Sequence, residues 1–180
     1  MLCITIPETE MYDESTQEFS TVKAQTLQLE HSLVSISKWE SKWCKPFLSK
    51  SPKTDEETLD YIKCMTITQN IKPEIFNRLT SENIAQIYNY INASMTATTF
   101  YEDTNSKTNS EQVTSELIYY WMITLNIPLE CQKWHLNRLL TLIKVCNVKN
   151  QPPKKLSKSE LLSRNRALNE ARKKQLNTKG

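Results

Sequence analysis

Glycine is almost absent from this chain: the 180 residues contain one, Gly180, at the last position. Average usage would give about 12 in this length. A P-loop needs glycine so that backbone N–H groups can close around phosphate, and the dinucleotide-binding fingerprint needs three glycines. The nucleophile elbow of α/β-hydrolases needs glycine to relieve a strained turn. These nucleotide-binding and hydrolase folds are therefore excluded on steric grounds.

The length suits one domain with a real core, and 38% hydrophobic with 24% charged residues is ordinary globular usage. No apolar run reaches the ~18 residues of a membrane span, so no membrane partner is expected. The start, MLCITIPETE, lacks the basic residues of a secretory signal, which favours a cytosolic protein. The five cysteines show no tight spacing and are predicted to be reduced and mostly buried.

Residues 1–30 show the period of β-structure. LCITIP (2–7) alternates between apolar and other side chains, and EFSTVKAQTLQLE (18–30) offers one or two partner strands. The intervening residues 8–18 carry five acids and no base, which predicts a solvated loop. We therefore expect a small antiparallel hairpin or a three-stranded sheet.

From His31 onward the apolar residues follow a helical period. Ser32 is a predicted N-cap, and Thr54 begins a T-x-x-E capping box ahead of a second helix. Pro73 suits the first turn of a short helix. SENIAQIYNYI (81–91) then presents an unbroken stripe at i, i+3, i+4 and i+7, which predicts a third helix with one buried face.

Two more helices are predicted on either side of Pro128. Residues 111–126 are apolar on most sides, which is typical of a central buried helix, and residues 129–147 present one stripe of Leu and Ile. Residues 92–110 are rich in Thr, Ser and Asn, and their second half is predicted to be a mobile loop. The predicted fold class is α+β, mainly α-helical: a short N-terminal β-hairpin or small sheet, a helical core and a basic C-terminal helix or tail.

Charge divides the chain. Residues 149–180 contain ten Lys or Arg and two Glu, a net charge of +8, whereas the remaining residues carry −5. The predicted organisation is an N-terminal β element (1–30), a helical core domain (31–148) and a basic tail (149–180), helical or disordered. Ser157 and Glu160 form another capping box, but the tail's few leucines make too thin a stripe to bury much surface alone.

Catalytic chemistry has little support in the residue pattern. His135 lies at i+4 from Cys131, but no feature supplies the orienting partner that a general base or an activated nucleophile needs. A structural histidine that caps a helix or bonds a loop carbonyl is favoured instead. The chain's two histidines stand 104 residues apart, and no cysteine pair has zinc-type spacing. We predict no catalytic residue, metal site or cofactor, and expect a binding function.

Several segments together indicate a family. They are LQLEHSLVSISKWESKWCKPFL (27–48), YIKCMT (61–66), MTATTF (95–100), IYYWMITLNIPLECQKWHLNRLLTLI (118–143) and RNRALNEARKKQLNTKG (164–180). With the order of a short β segment followed by helices, they resemble the tail assembly chaperones of long-tailed, siphovirus-type bacteriophages, especially those of Gram-positive hosts. The resemblance implies a non-enzymatic protein of the host cytoplasm that coats the tape measure protein and helps load tail tube subunits around it. The tail tube protein and self-association are further possible contacts.

Large aromatic side chains near loops are predicted partner contacts, because they supply much contact area. They are Trp39, Trp43, Phe47 and Phe100. The predicted contacts of the tail are basic: Lys154, Lys155, Arg164, Arg166, Arg172, Lys173 and Lys174. Two alternatives stay open, a structural tail or head–tail connector component of the virion and a nucleic-acid-binding accessory protein acting through the tail. The tail has no aromatic residue for base stacking, which makes nucleic acid the less favoured partner.

Overall fold

A computed structural model describes residues 1–13, 18–100, 112–150 and 158–177. Strands come first and helices follow, which confirms the α+β, mainly helical class. The strands are β1 (Leu2–Ile6), β2 (Thr9–Asp13), β3 (Glu18–Val22) and β4 (Gln25–Leu29). The α-helices are α1 (Leu33–Trp43), α2 (Asp55–Met65), α3 (Ser81–Asn92), α4 (Ser115–Thr124), α5 (Leu136–Asn150) and α6 (Lys158–Leu176). Short 3₁₀ helices span Pro73–Arg78 and Leu129–Lys133.

The described strands form one long antiparallel ribbon. β1 pairs with β4 and β2 pairs with β3, and both ladders keep the same register on either side of Pro7. Proline has no N–H to give to a ladder, which accounts for the interruption. The prediction of a loop over residues 8–18 was therefore wrong for much of its length. The acidic side chains of Glu8 and Glu10 are exposed, as predicted, but solvated side chains do not prevent the backbone from pairing.

Arg78 joins the ribbon to the helical part at this interruption. Its Nη2 donates to the carbonyl oxygen of Pro7 at 2.6 Å and to that of Val22 at 3.2 Å. One guanidinium group therefore binds both strands at the point where the ladder is broken, through charge-assisted hydrogen bonds.

One apolar core joins β1 and β4 to the helices. The inward residues of these strands alternate with residues that are exposed or half-buried, as the period of two predicted. Each fully buried Leu or Ile contributes about 1.5–3 kcal/mol to folding. The strands supply Ile4, Ile6, Leu27 and Leu29, and the helices supply Leu33, Ile36, Trp39, Tyr61, Ile62, Met65, Ile87, Ile118, Met122, Leu136, Leu139 and Ile143.

The helix starts predicted at Ser32, Thr54 and Pro73 are confirmed. Ser32 and Thr54 cap α1 and α2; each side chain accepts from the backbone N–H three residues on, and the third residue bonds back. Pro73 occupies the first turn of its 3₁₀ helix. Thr80 caps α3 in the same way, and the Thr114 side chain accepts from Leu117 N at the start of α4 without a bond back; neither cap was predicted. Local hydrogen bonding thus fixes where these helices begin.

Helix α4 departs from the prediction. It is shorter than 111–126, and it is not a central buried helix, because Tyr120 is 61% and Ile123 68% exposed. Only one side of α4 faces the core, through Ile118 and Met122. Because the helix carries apolar residues on most of its sides, those on the other sides lie at the surface.

The helix predicted over 129–147 is also not continuous. Its first turn is a 3₁₀ helix, and the chain bends at Trp134 before α5 begins. The bend places His135 in an isolated antiparallel bridge with Ser32. Backbone pairing between distant segments therefore overrides the helical period of the sequence at this point.

By residue contacts the chain divides into two compact units, Met1–Asn147 and Val148–Gly180. The tail forms helix α6, and every α6 side chain that the structure describes is exposed. No described helix is long and apolar enough to cross a membrane. Some predictions lie outside the described residues: the mobile loop beyond residue 100, the cap at Ser157, and the contacts Lys154 and Lys155.

Left-handed backbone occurs within the described residues although none of these is glycine. Asn70, Asn126 and Asn177 are among the positive-φ residues, and asparagine tolerates this conformation. Cys44, at the end of α1, is less suited: its φ is 51° and ψ 35°, and its N–H donates to Glu40 O at 2.8 Å. A β-carbon in this region costs about 1 kcal/mol.

We expect Cys44→Gly to raise the free energy of unfolding by about 0.5–1 kcal/mol, because glycine removes the steric cost and the Cys44 side chain is exposed. Urea denaturation measures this change. Cys44→Ala is the matched control, since it deletes the thiol and keeps the β-carbon. Equal stability of the two variants would show that the left-handed backbone stores no strain.

Candidate functional site

Two of the predicted partner contacts belong to the core. Trp39 is 1% and Phe47 8% exposed. The Trp39 indole Nε1 donates to Glu57 O at 2.9 Å, and the Phe47 ring centroid lies 4.0 Å from that of Tyr61. The loop after α1 folds back on the helix, where Phe47 N donates to the Glu40 carboxylate, and this encloses both rings. The prediction that Trp39 faces a partner was therefore wrong, whereas Phe47 exposes only the small part of its ring that lines a cleft, and its role as a partner contact stays a prediction.

Trp43 and Phe100 are half-buried, so part of each ring stays at the surface. Trp43 Nε1 donates to Asp60 Oδ2 at 3.0 Å, while Lys42 pairs with the other oxygen of that carboxylate. The Lys144 ammonium lies 4.4 Å from the Phe100 ring centroid, within the range of a cation–π contact. Their role as partner contacts stays a prediction.

The basic residues predicted on the tail are exposed where the structure describes them. Helix α6 carries six Lys or Arg and two Glu. At 100° per residue its leucines fall within about one third of the helix circumference, whereas the basic residues are distributed around it. The exposed basic residues include Arg164, Arg166, Arg172, Lys173 and Lys174, and the exposed leucines are Leu161, Leu162, Leu168 and Leu176.

Both histidines of the chain meet in the core. The ring centroids of His31 and His135 are 5.0 Å apart in an edge-on arrangement, and both residues are buried. His31 Nδ1 lies 2.6 Å from the hydroxyl oxygen of Tyr61. Burial, with a smaller effect of the neighbouring His135, lowers the pKa of His31 to about 3. Burial also lowers the pKa of His135, so both rings are neutral near neutral pH.

Backbone groups hold both ring nitrogens of His135. Nδ1 accepts from Asn137 N at 3.3 Å, so Nε2 carries the proton that is donated to Tyr90 O at 3.0 Å. The prediction of a structural histidine that caps a helix is confirmed. Cys131 does not share a helix face with His135, because the bend at Trp134 separates them. Among the described residues, no group of three His, Cys, Asp or Glu is placed to hold a metal ion.

Several clefts among the described residues adjoin the loop that follows α1, and two of them have a largely apolar lining. The α3 cleft has a volume of about 490 Å³ and lies between this loop, α2 and α3. The α4 cleft has about 560 Å³ and lies between the loop, α4 and α5. Ser49, Lys50 and Ser51 line both clefts. The apolar lining of the α3 cleft includes Phe47, Tyr61, Ile62, Ile84, Ile87 and Ile91, and that of the α4 cleft Leu48, Val113, Trp121 and Leu140.

Lysine supplies the charge at these clefts. Lys50 lines both and is exposed, and Lys53 lines the α3 cleft. Lys53 Nζ donates to Phe47 O at 2.8 Å and lies 4.4 Å from the Phe47 ring centroid; burial lowers the pKa of this ammonium. Among the described residues, no Asp or Glu lines either cleft.

Sequence reasoning missed the two residues that shape the rim of the α3 cleft. Tyr88 fits the apolar stripe of α3, yet it is 64% exposed. Lys50 lies between the first two predicted helices, in a segment for which Phe47 was the one predicted partner contact. The sequence signal that could have indicated this rim is a lysine-rich loop between two capped helices, since connecting loops lie at the surface and often carry binding residues.

The described surface thus brings apolar side chains together with lysines, in two adjoining clefts and on α6. Surfaces of this composition suit the binding of an amphipathic polypeptide segment. Comparison of the chain with protein-family models, with curated proteins and with solved structures finds no match.

Proposed function

We propose that the protein is a tail assembly chaperone of a long-tailed bacteriophage, which binds the tape measure protein and assists assembly of the tail tube without catalysing a reaction. Helix α6 carries the proposal: its described side chains are all exposed, and its leucines lie on one side among basic residues. A helix with so few apolar residues gains most by packing against another polypeptide. Its exposure is what a partner-binding element requires.

The clefts of the body support the same function. A protein that coats a long helical polypeptide needs open apolar surface to hold it and a charged element that can exchange partners. The two clefts beside the loop after α1 supply the open apolar surface, and α6 supplies the charged element. The sequence segments that resemble this family extend over both parts. In this proposal the protein acts in the host cytoplasm, with the tail tube protein as a second partner.

The test is co-expression of the full chain with a helical fragment of the phage's tape measure protein, followed by affinity capture. The triple variant Arg164→Glu, Arg166→Glu, Arg172→Glu should lose about tenfold or more in affinity, and the loss should depend on salt. Its melting temperature should stay close to wild type, because these side chains are exposed. The matched control reverses the charge of three exposed body residues, Lys38, Lys72 and Lys133.

Equal loss in the control would indicate a general charge effect and would contradict the proposal. The exposed bases of α6 also favour a second candidate, a nucleic-acid-binding accessory protein. That function predicts duplex binding with a steep salt dependence, of several neutralised phosphates, which the α6 variant abolishes. Absence of any complex with the tape measure fragment, together with tight duplex binding near physiological salt, would replace the proposed function with this one.

A further inference from the structure

The α3 cleft combines an apolar floor with a rim of one charge sign. Ile84, Ile87 and Ile91 of α3 line it, and Tyr88 stands exposed beside them. The opposite wall is the loop after α1, from which Lys50 and Lys53 contribute ammonium groups. Neither lysine forms an ion pair within the described residues, whereas Lys42 and Lys45 pair with Asp60 and Glu57. The cleft therefore presents positive charge next to exposed apolar surface: Lys50 has no ion-pair partner among the described residues, and the charge of Lys53 is offset in part by the nearby Glu57.

The positive charge at the α3 cleft is opposite in sign to the net charge of the rest of the body. Outside the tail the chain carries a net −5, yet no acidic residue among the described residues lines the α3 cleft or the α4 cleft. An oppositely charged partner segment gains from such a local field, and a like-charged one is rejected. The basic helix α6 of a second copy carries the same sign as the cleft, so it does not fit.

We propose that the α3 cleft binds an acidic amphipathic helix of a partner polypeptide. The apolar side chains of that helix would lie on the isoleucine floor and against Tyr88, and its carboxylates would meet Lys50 and Lys53. The inference rests on the proposed function and deepens it, because it names the surface of the body that holds the tape measure protein and the chemistry of the bound segment. Adjoining apolar lining in the α4 cleft extends this surface beyond one pocket.

The probe is a labelled model helix of about 18 residues, five turns, with leucine at i, i+3, i+4 and i+7 and glutamate elsewhere. Its binding to the full chain is followed by fluorescence anisotropy. We expect Tyr88→Ser and Lys50→Glu each to weaken binding by about tenfold, since one removes an aromatic contact and the other reverses a rim charge. A leucine–lysine helix of the same length should bind the wild-type chain weakly, and Lys50→Glu should not weaken its binding further.

Matched controls separate the cleft from the rest of the surface. Tyr120→Ser removes an equally exposed tyrosine from α4, and Lys72→Glu reverses an exposed charge outside the cleft. Both should bind the acidic helix within about twofold of wild type. Equal losses in cleft variants and controls would overturn the proposal. So would self-association that Tyr88→Ser weakens without any effect on the model helix, because a second copy would then be the occupant.

The α6 triple variant distinguishes failure of this inference from failure of the proposed function. If the model helix binds through the α3 cleft while no tape measure fragment is captured, the proposed function fails. The α3 cleft is then still a binding site for an acidic amphipathic helix. If the tape measure fragment is captured through α6 while cleft substitutions change nothing with either probe, the cleft proposal alone fails.

Discussion

Replacing Glu40 with alanine should lower the free energy of unfolding by about 3–5 kcal/mol, because two buried backbone N–H groups lose their acceptor. The Glu40 carboxylate is buried; Oε1 accepts from Phe47 N at 2.6 Å and Oε2 accepts from Ser115 N at 2.7 Å. It therefore joins α1 both to the loop after it and to the first residue of α4. Urea denaturation of the full chain measures the change.

Two further variants test the physical cause. Glu40→Gln keeps one acceptor oxygen and turns an NH₂ group toward the other backbone N–H. The free energy of unfolding should therefore fall by about 1.5–3 kcal/mol. Glu130→Ala deletes an exposed carboxylate and should change stability by less than about 0.5 kcal/mol. A Glu40→Ala variant as stable as Glu130→Ala would show that the loop and α4 are held by packing rather than by this carboxylate.

Helix starts and strand faces could be predicted from the sequence because they depend on neighbours in the chain. Ser32 and Thr54 cap helices through bonds that span three residues. The alternation in β1 and β4 likewise depends only on the period of the strand. The fold class followed from these local signals without knowledge of any long-range contact.

What the sequence could not supply depends on distant partners. The carboxylate of Glu40 reaches across 75 positions to Ser115, and nothing near it in the chain indicates an acceptor for that helix. The exposed side of α4 could not be distinguished from its buried side, because its apolar residues surround the helix. Where periodicity is absent, only the packed structure decides which residues face solvent.

The candidate site divides in the same way. The basic character of α6 is a property of composition, and it was predicted. The α3 cleft was not predicted, because it forms where the loop after α1 meets α3, a helix that lies further along the chain. Trp39 was placed at the surface on residue type alone, but indoles are most often buried when their N–H finds a carbonyl, as it does here with Glu57 O.

Acidification from about pH 7 to pH 5 should destabilise the protein through its buried histidines. The pKa of His31 is about 3 in the folded chain and 6.5 for a free side chain, so between these values the unfolded chain binds more protons and stability falls as the pH falls. At 1.36 kcal/mol for each pKa unit, His31 alone accounts for a loss of about 2 kcal/mol by pH 5. His135 adds to the loss in the same direction, because burial lowers its pKa too.

The variant His31→Gln isolates this contribution. It should be less stable than wild type near pH 7, and the difference should shrink by about 2 kcal/mol by pH 5, since glutamine does not titrate. The carboxylate of Glu57 does not affect the comparison of the two proteins between pH 7 and pH 5. The hydrogen bond from Lys45 lowers the pKa of Glu57 below its ordinary value of 4.5, so the stability that Glu57 contributes is lost only in stronger acid. The chain has no histidine besides His31 and His135, so their side chains account for the titration in this window. A stability difference between wild type and His31→Gln that stays constant from pH 7 to pH 5 would show that His31 is protonated as easily in the folded chain as in the unfolded one. The packed histidine pair would then not be the cause of any acid sensitivity of the core.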